Sequence, residues 1–185
     1  AEGIIGIGLD KYLGREADYY RKLGLSQYMI RNMHREKIPS DCMMAWALSD
    51  YQYNDSVDNL LSDMIYNGQI MYYVKSMLPH QPDSLIMGFG DDEINFCLNN
   101  EAGMWEYLVE NKLLFATDRM TIRKFTGAGP FTKDFTSESP ARAAVWIGWR
   151  IVESYARKNP GITLEDIMKE QDYQKILTLS EYDPG

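Results

Sequence analysis

The chain has 185 residues, 45% of them hydrophobic and 12% aromatic, enough apolar material for one sizeable core in a single domain. A net charge of −8 and a pI near 4.8 argue against a nucleic-acid partner, because phosphate binding needs clustered Lys and Arg. No apolar run is long enough to span a bilayer, and two cysteines, Cys42 and Cys97, are too few for a disulfide-stapled mini-domain.

At the start, Ile5, Ile7 and Leu9 alternate with Gly6 and Gly8, which predicts a strand over Ile4 to Leu9 with one thin face. The opening "AEGIIGIGLDKYLG" has no signal-peptide architecture and reads as beginning inside structure. Leu25, Tyr28, Met29, Asn32 and Met33 share one face of a first helix. A second begins at Pro39 to Asp41 and runs to about Tyr51, with the proline and the acid suited to a first turn. The third is the clearest: Val57, Leu60, Leu61, Met64, Ile65, Gly68, Met71 and Tyr72 repeat at helical spacing until Pro79. Gly68 on its inner stripe costs about 1 kcal/mol relative to alanine, which predicts close packing there.

"HQPDSLIMGFGDD" reads as a loop, followed by a long helix from about Asp91 to Phe115 with Ile94, Cys97, Leu98, Trp105 and Leu108 facing inward. "TGAGPFTKDFTSESP" reads as a surface loop, since its glycines lack the ending of a phosphate loop. The last long helix is "PARAAVWIGWRIVESYARKN", with small residues on one side for close packing, and a short capped helix and a tail follow. No repeat or linker divides residues 1–185, so one domain is expected.

Few residues are arranged for chemistry. His34 and His80 lie in different segments without a second ligand at helical spacing, and no H-x-x-x-H occurs. There is no G-x-S-x-G elbow, and Cys42 and Cys97 read as free thiols. Glu101 sits on the apolar stripe between Leu98 and Trp105, so it needs a partner or a raised pKa. Arg142 is the sequence candidate for that partner, in a pair tying two helices together. Glu138 is expected to fix the "SESPAR" turn, and Asp41 to complement the start of its helix.

Several segments, in order, resemble one family: "IGLDKYLG" at 7–14, "MIYNGQIMYYVKSMLP" at 64–79 and "NEAGMWEYLVENKLLFATD" at 100–118. The same holds for "GPFTKDFTSESPAR" at 129–142, "WIGWRIVESYARKNP" at 146–160 and "ILTLSEYDP" at 176–184. The family is the gliding-motility-associated lipoprotein GldB of Bacteroidetes bacteria. The resemblance implies a cell-envelope protein, periplasmic or surface-exposed, that meets the membrane only through a lipid anchor. The family's N-terminal region and lipoprotein signal are missing from this chain, which is therefore expected to be the C-terminal portion.

The order of elements is also distantly similar to predicted zinc peptidases of the gluzincin type. Laid on this chain, that likeness puts the two metal histidines at Asp41 and Ala45, the catalytic glutamate at Cys42 and the third ligand at Asn67. Alanine cannot ligate zinc, a thiol does not replace the glutamate that activates water, and Asn67 is a poor neutral ligand.

The expectation is thus a mainly α (α+β), zincin-like helical domain with a short N-terminal strand or small sheet. It is expected to be non-catalytic, with no cofactor and no metal, and to bind an envelope protein or peptide segment, the N-terminal strand offering an edge for strand addition. The alternative is a hydrolase in which Asp41, Glu101 or Glu138 converge in one cleft, since an inverting glycosidase needs two carboxyl groups facing each other across it. A metal site joining His34 or His80 to Asp41 ranks last.

Overall fold

The computed structural model describes residues 3–129, 135–136 and 138–185, which form a helical domain. In chain order the helices are α1 (Asp18–Lys22), α2 (Gln27–Ile30), α3 (Ile38–Asp50), α4 (Leu60–Met77) and α5 (Asp83–Met87). They continue as α6 (Asp91–Glu110), α7 (Arg119–Thr126), α8 (Ala143–Lys158), α9 (Leu164–Lys169) and α10 (Tyr173–Ser180). The centre is the pair α4 and α8. α3 and α9 pack on α4, α6 packs on α8, and α7 and α10 touch both.

α8 is buried on nearly every side from Ala143 to Tyr155, as the all-round apolar run "AAVWIGW" requires. α4 starts where the Asn59 side chain accepts the Ser62 N–H at 2.9 Å. The close packing expected at Gly68 is present: a Cβ there would lie 2.3 Å from the Gly148 carbonyl carbon. The two glycines let α4 and α8 cross backbone on backbone. The small residues of the last long helix serve the same approach, with Ala143 and Ala144 fully buried.

Several sequence expectations are corrected. Among the described residues there is no strand and no sheet, so the class is mainly α and the expected N-terminal strand or small sheet does not appear. Residues 4–8 are irregular, and Leu9–Lys11 form one tight helical turn. The alternating pattern found neither a neighbouring strand to take its backbone hydrogen bonds nor a core for its apolar face: Ile7 and Leu9 are 43% and 69% exposed. What holds this segment is Tyr20, whose hydroxyl accepts the Leu13 N–H at 2.8 Å and donates to the Asp10 carbonyl at 2.9 Å.

The helix expected to reach Phe115 stops at Glu110. The carbonyls of Leu114 and Ala116 are needed elsewhere, accepting the first free N–H groups of α4 from Leu61 (2.8 Å) and Leu60 (3.0 Å). Leu98, placed on its inner stripe, is exposed, whereas Cys97 and Leu108 are fully buried. The stretch read as a loop after Pro79 contains α5, and the tail after α9 is the helix α10, capped by Asp172. The first helix, expected on Leu25 to Met33, is the short α2 (Gln27–Ile30), and α1 precedes it where no helix was expected. The Val57 side chain and residues 130–134 and 137 of the expected surface loop lie outside the described residues.

Candidate functional site

A cavity of about 400 Å³ opens beside the start of α3. Among the described residues its wall draws on six stretches: Lys11 and Tyr12, Tyr28 and Met29 with Arg31 to Met33, Asp41, Met87 to Phe89 with Glu93, Ala128 and Gly129, and the approach to α8 at Ala141 and Arg142. The size suits a small ligand or the end of a chain.

Asp41 lies in the first turn of α3. Its two oxygens accept from Lys37 Nζ at 2.6 Å and from the Tyr12 hydroxyl at 2.9 Å. The Lys37 side chain is only 6% exposed, so Asp41 is the counter-charge of a buried ammonium as well as a complement to the helix start. Burial first, and then the hydrogen bond to Asp41 and its charge, push the Tyr12 phenol up to about 12. Glu93 caps the start of α6 by accepting the Gly90 N–H at 2.8 Å, and it pairs with Arg31 at 2.8 Å. Both acids of the cavity therefore have an intramolecular cation.

The carbonyl end of α5 collects donors. Gly88, in the left-handed conformation at φ 72°, turns the chain out of the helix. Its carbonyl accepts from Asn32 Nδ2 (3.0 Å) and Arg31 Nη2 (3.3 Å), and the Met87 carbonyl accepts from Arg142 Nη1 (3.2 Å). Arg142 is itself in the left-handed region at φ 62°, a conformation that favours glycine, directly before α8. Burial holds its pKa below the usual arginine value.

The expected Glu101–Arg142 pair is not formed. Glu101 accepts from Trp146 Nε1 (3.1 Å), Tyr182 Oη (2.9 Å) and Arg150 Nε (3.3 Å). Trp146 and Arg150 stand one turn apart on α8 and face α6 together, whereas Arg142 precedes the helix and reaches α5. Arg150 also pairs with Glu153 and lies 5.8 Å over the Trp146 ring. The need for a partner at Glu101 was legible; the partner is Arg150. Burial raises the Tyr182 phenol far above its ordinary range, and the Glu101 charge and hydrogen bond add to this. This cluster joins α6, α8 and the C-terminal segment.

The remaining candidates are dispersed. Glu138 is exposed, and its backbone N–H donates to Thr136 Oγ1 at 3.3 Å. Of Asp41, Glu101 and Glu138, only Asp41 lines the cavity. Cys42 is half-buried and Ala45 is exposed on α3, while the Asn67 amide donates to the Asp63 carbonyl within α4 at 2.8 Å. His34 stands 3.8 Å from Glu36, and His80 is exposed. Among the described residues no group of three or more His, Cys, Asp or Glu side chains is placed to hold a metal ion.

Sequence reasoning missed Arg31, Asn32, Tyr12 and Lys37. Lys37 and Asp41 at i, i+4 carried a local signal; the other contacts join residues 29 to 57 positions apart.

The fold and cavity define a mainly helical domain with a small cavity lined by arginines. A family model described as gliding motility protein GldB matches residues 1–184, and the chain belongs to that family. No match was found among curated proteins or among solved structures. Neither result supports the likeness to zinc peptidases. Family membership implies a gliding-motility-associated envelope lipoprotein. Among the described residues no helix is long and apolar enough to cross a membrane.

Proposed function

We propose that this domain works by binding rather than by catalysis, holding a segment of an envelope protein or peptide at the cavity beside α3. On this reading α3 occupies the place of a metal helix in a peptidase-like frame, with Asp41, Cys42 and Ala45 where a peptidase carries its chemistry. The observation that carries the proposal is the state of the cavity's acids. Asp41 is committed to Lys37 and Tyr12, and Glu93 to Arg31 and the Gly90 N–H. A hydrolase of the two-carboxylate kind needs an acid and a base facing each other across the cleft, and these two already neutralise cations of their own fold.

The experiment is incubation of the purified protein with a mixed peptide library and with chromogenic glycosides, read by mass spectrometry and absorbance. The substrates are expected to be recovered unchanged. Turnover that disappears in an Asp41→Asn variant of native stability overturns the proposal.

A further inference from the structure

Among the described residues, pairing off the charges around the cavity leaves one without a counter-charge. Lys37 answers Asp41, Arg31 answers Glu93, and Lys11 lies 3.4 Å from Asp10 in a solvent-exposed pair. Arg142 has no carboxylate within ion-pair distance among the described residues, and its only hydrogen bond is the one from Nη1 to the Met87 carbonyl. A guanidinium carries five N–H donors in a planar fork, so most of its donors remain unused. At the same wall Arg31, though paired with Glu93, keeps its Nε buried without a partner. Arg142 is half-buried and lines the cavity. Apolar side chains of Met29, Met33, Phe89 and Ala141 also line the space.

We propose that the cavity is a receptor for a monocarboxylate attached to an apolar group, with the carboxylate on the Arg142 fork and the apolar part against Met33 and Phe89. This rests on the binding reading above and names its ligand class. A single negative charge matches the one cation of the wall that lacks a carboxylate partner among the described residues, whereas a dianion brings a second charge that only the existing ion pairs could meet. Guanidinium and carboxylate fit two bonds to two, and methionine side chains adapt to apolar groups of varied shape. The C-terminal carboxylate of a peptide ending in an apolar residue and a free short organic acid share this chemistry.

The test is calorimetric titration of the native protein with Gly-Gly-Leu, its C-terminal amide, hexanoate and inorganic phosphate. The peptide acid is expected to bind at least about tenfold more tightly than the amide, because only the acid offers the charged, forked acceptor. Arg142→Gln is expected to abolish that difference, and Arg142→Lys, which keeps the charge but loses the fork, to weaken acid binding. Equal binding of acid and amide, an unchanged difference in Arg142→Gln, or tighter binding of phosphate than of either carboxylate overturns the proposal, as does an absence of binding by both acids. Hexanoate binding as tightly as Gly-Gly-Leu identifies a free acid as the source, and peptide binding alone identifies a chain end; both support the receptor. If both variants fail to fold, the comparison of acid with amide on the native protein decides. Mass spectrometry of the recovered Gly-Gly-Leu separates the two readings: cleaved peptide refutes the non-catalytic proposal while the acid and amide affinities still judge the receptor.

Discussion

Gly148→Ala should be among the most damaging single-methyl additions available in this chain. A Cβ at residue 148 would lie 1.9 Å from the Met64 carbonyl oxygen and 2.5 Å from its carbon. Ordinary contact is about 3.5 Å, so α4 and α8 must part by about 1.5 Å. Both clashing atoms belong to helical backbone, so no rotamer change can relieve them. Parting the helices also opens gaps around Leu61, Ile65, Val145, Trp149 and Val152, all buried on the same two helices. Overpacking costs about 1–3 kcal/mol in general, and a rigid backbone contact belongs at the upper end. The better helix propensity of alanine returns about 1 kcal/mol. The net loss is then about 2 kcal/mol, which for a chain of this size lowers Tm by about 4–8 °C. Gly103→Ala on the exposed face of α6 is the control: its Cβ would meet nothing within 4 Å, so propensity alone acts and Tm should rise by about 2–4 °C. Thermal and urea unfolding followed by circular dichroism measures both. If Gly148→Ala melts at or above the parent temperature, the backbone crossing is not as described.

Glu101→Ala should cost about 3 kcal/mol in urea unfolding, because it leaves the Trp146 N–H and the Tyr182 hydroxyl shielded without an acceptor. An unchanged midpoint would place those donors in water. Burial raises the pKa of Glu153 despite its pair with Arg150, so the folded state holds that proton more tightly than the unfolded chain does. Its contribution is fully present below the ordinary glutamate pKa of about 4.3 and is lost as pH rises through the raised value. The parent should therefore lose stability relative to Glu153→Gln as pH rises through that window, and an opposite slope in paired urea titrations refutes it. Cys97 is fully buried and its thiol is pushed up to about 12 by burial, with the charges of Glu93 and Glu101 adding to this. A thiol reagent at neutral pH should titrate Cys42 in the native protein and Cys97 only after denaturation; two fast thiols would contradict the buried position.

Local patterns marked the longer helices. Pro39 and Asp41 marked the first turn of α3, and the 3.6-residue repeat from Leu60 marked α4. A glycine on an apolar helical face implied a close neighbour, and Gly68 has one in the backbone of Gly148. The strand at Ile4 to Leu9 failed for the same reason that those readings succeeded. Alternation is a local property, but a strand exists only if a distant segment supplies its hydrogen bonds. Glu101 shows the boundary within one residue. Its place on an apolar stripe made a partner necessary, while choosing Arg150 over Arg142 required knowing which side of α8 meets α6. The cavity lies wholly beyond that boundary, because its meaning depends on a difference between charges. With −8 overall, an unpaired cation is the last feature that composition suggests. It emerges only once Asp41 is assigned to Lys37 and Glu93 to Arg31, since among the described residues those two pairings take up the acids that line the cavity with Arg142.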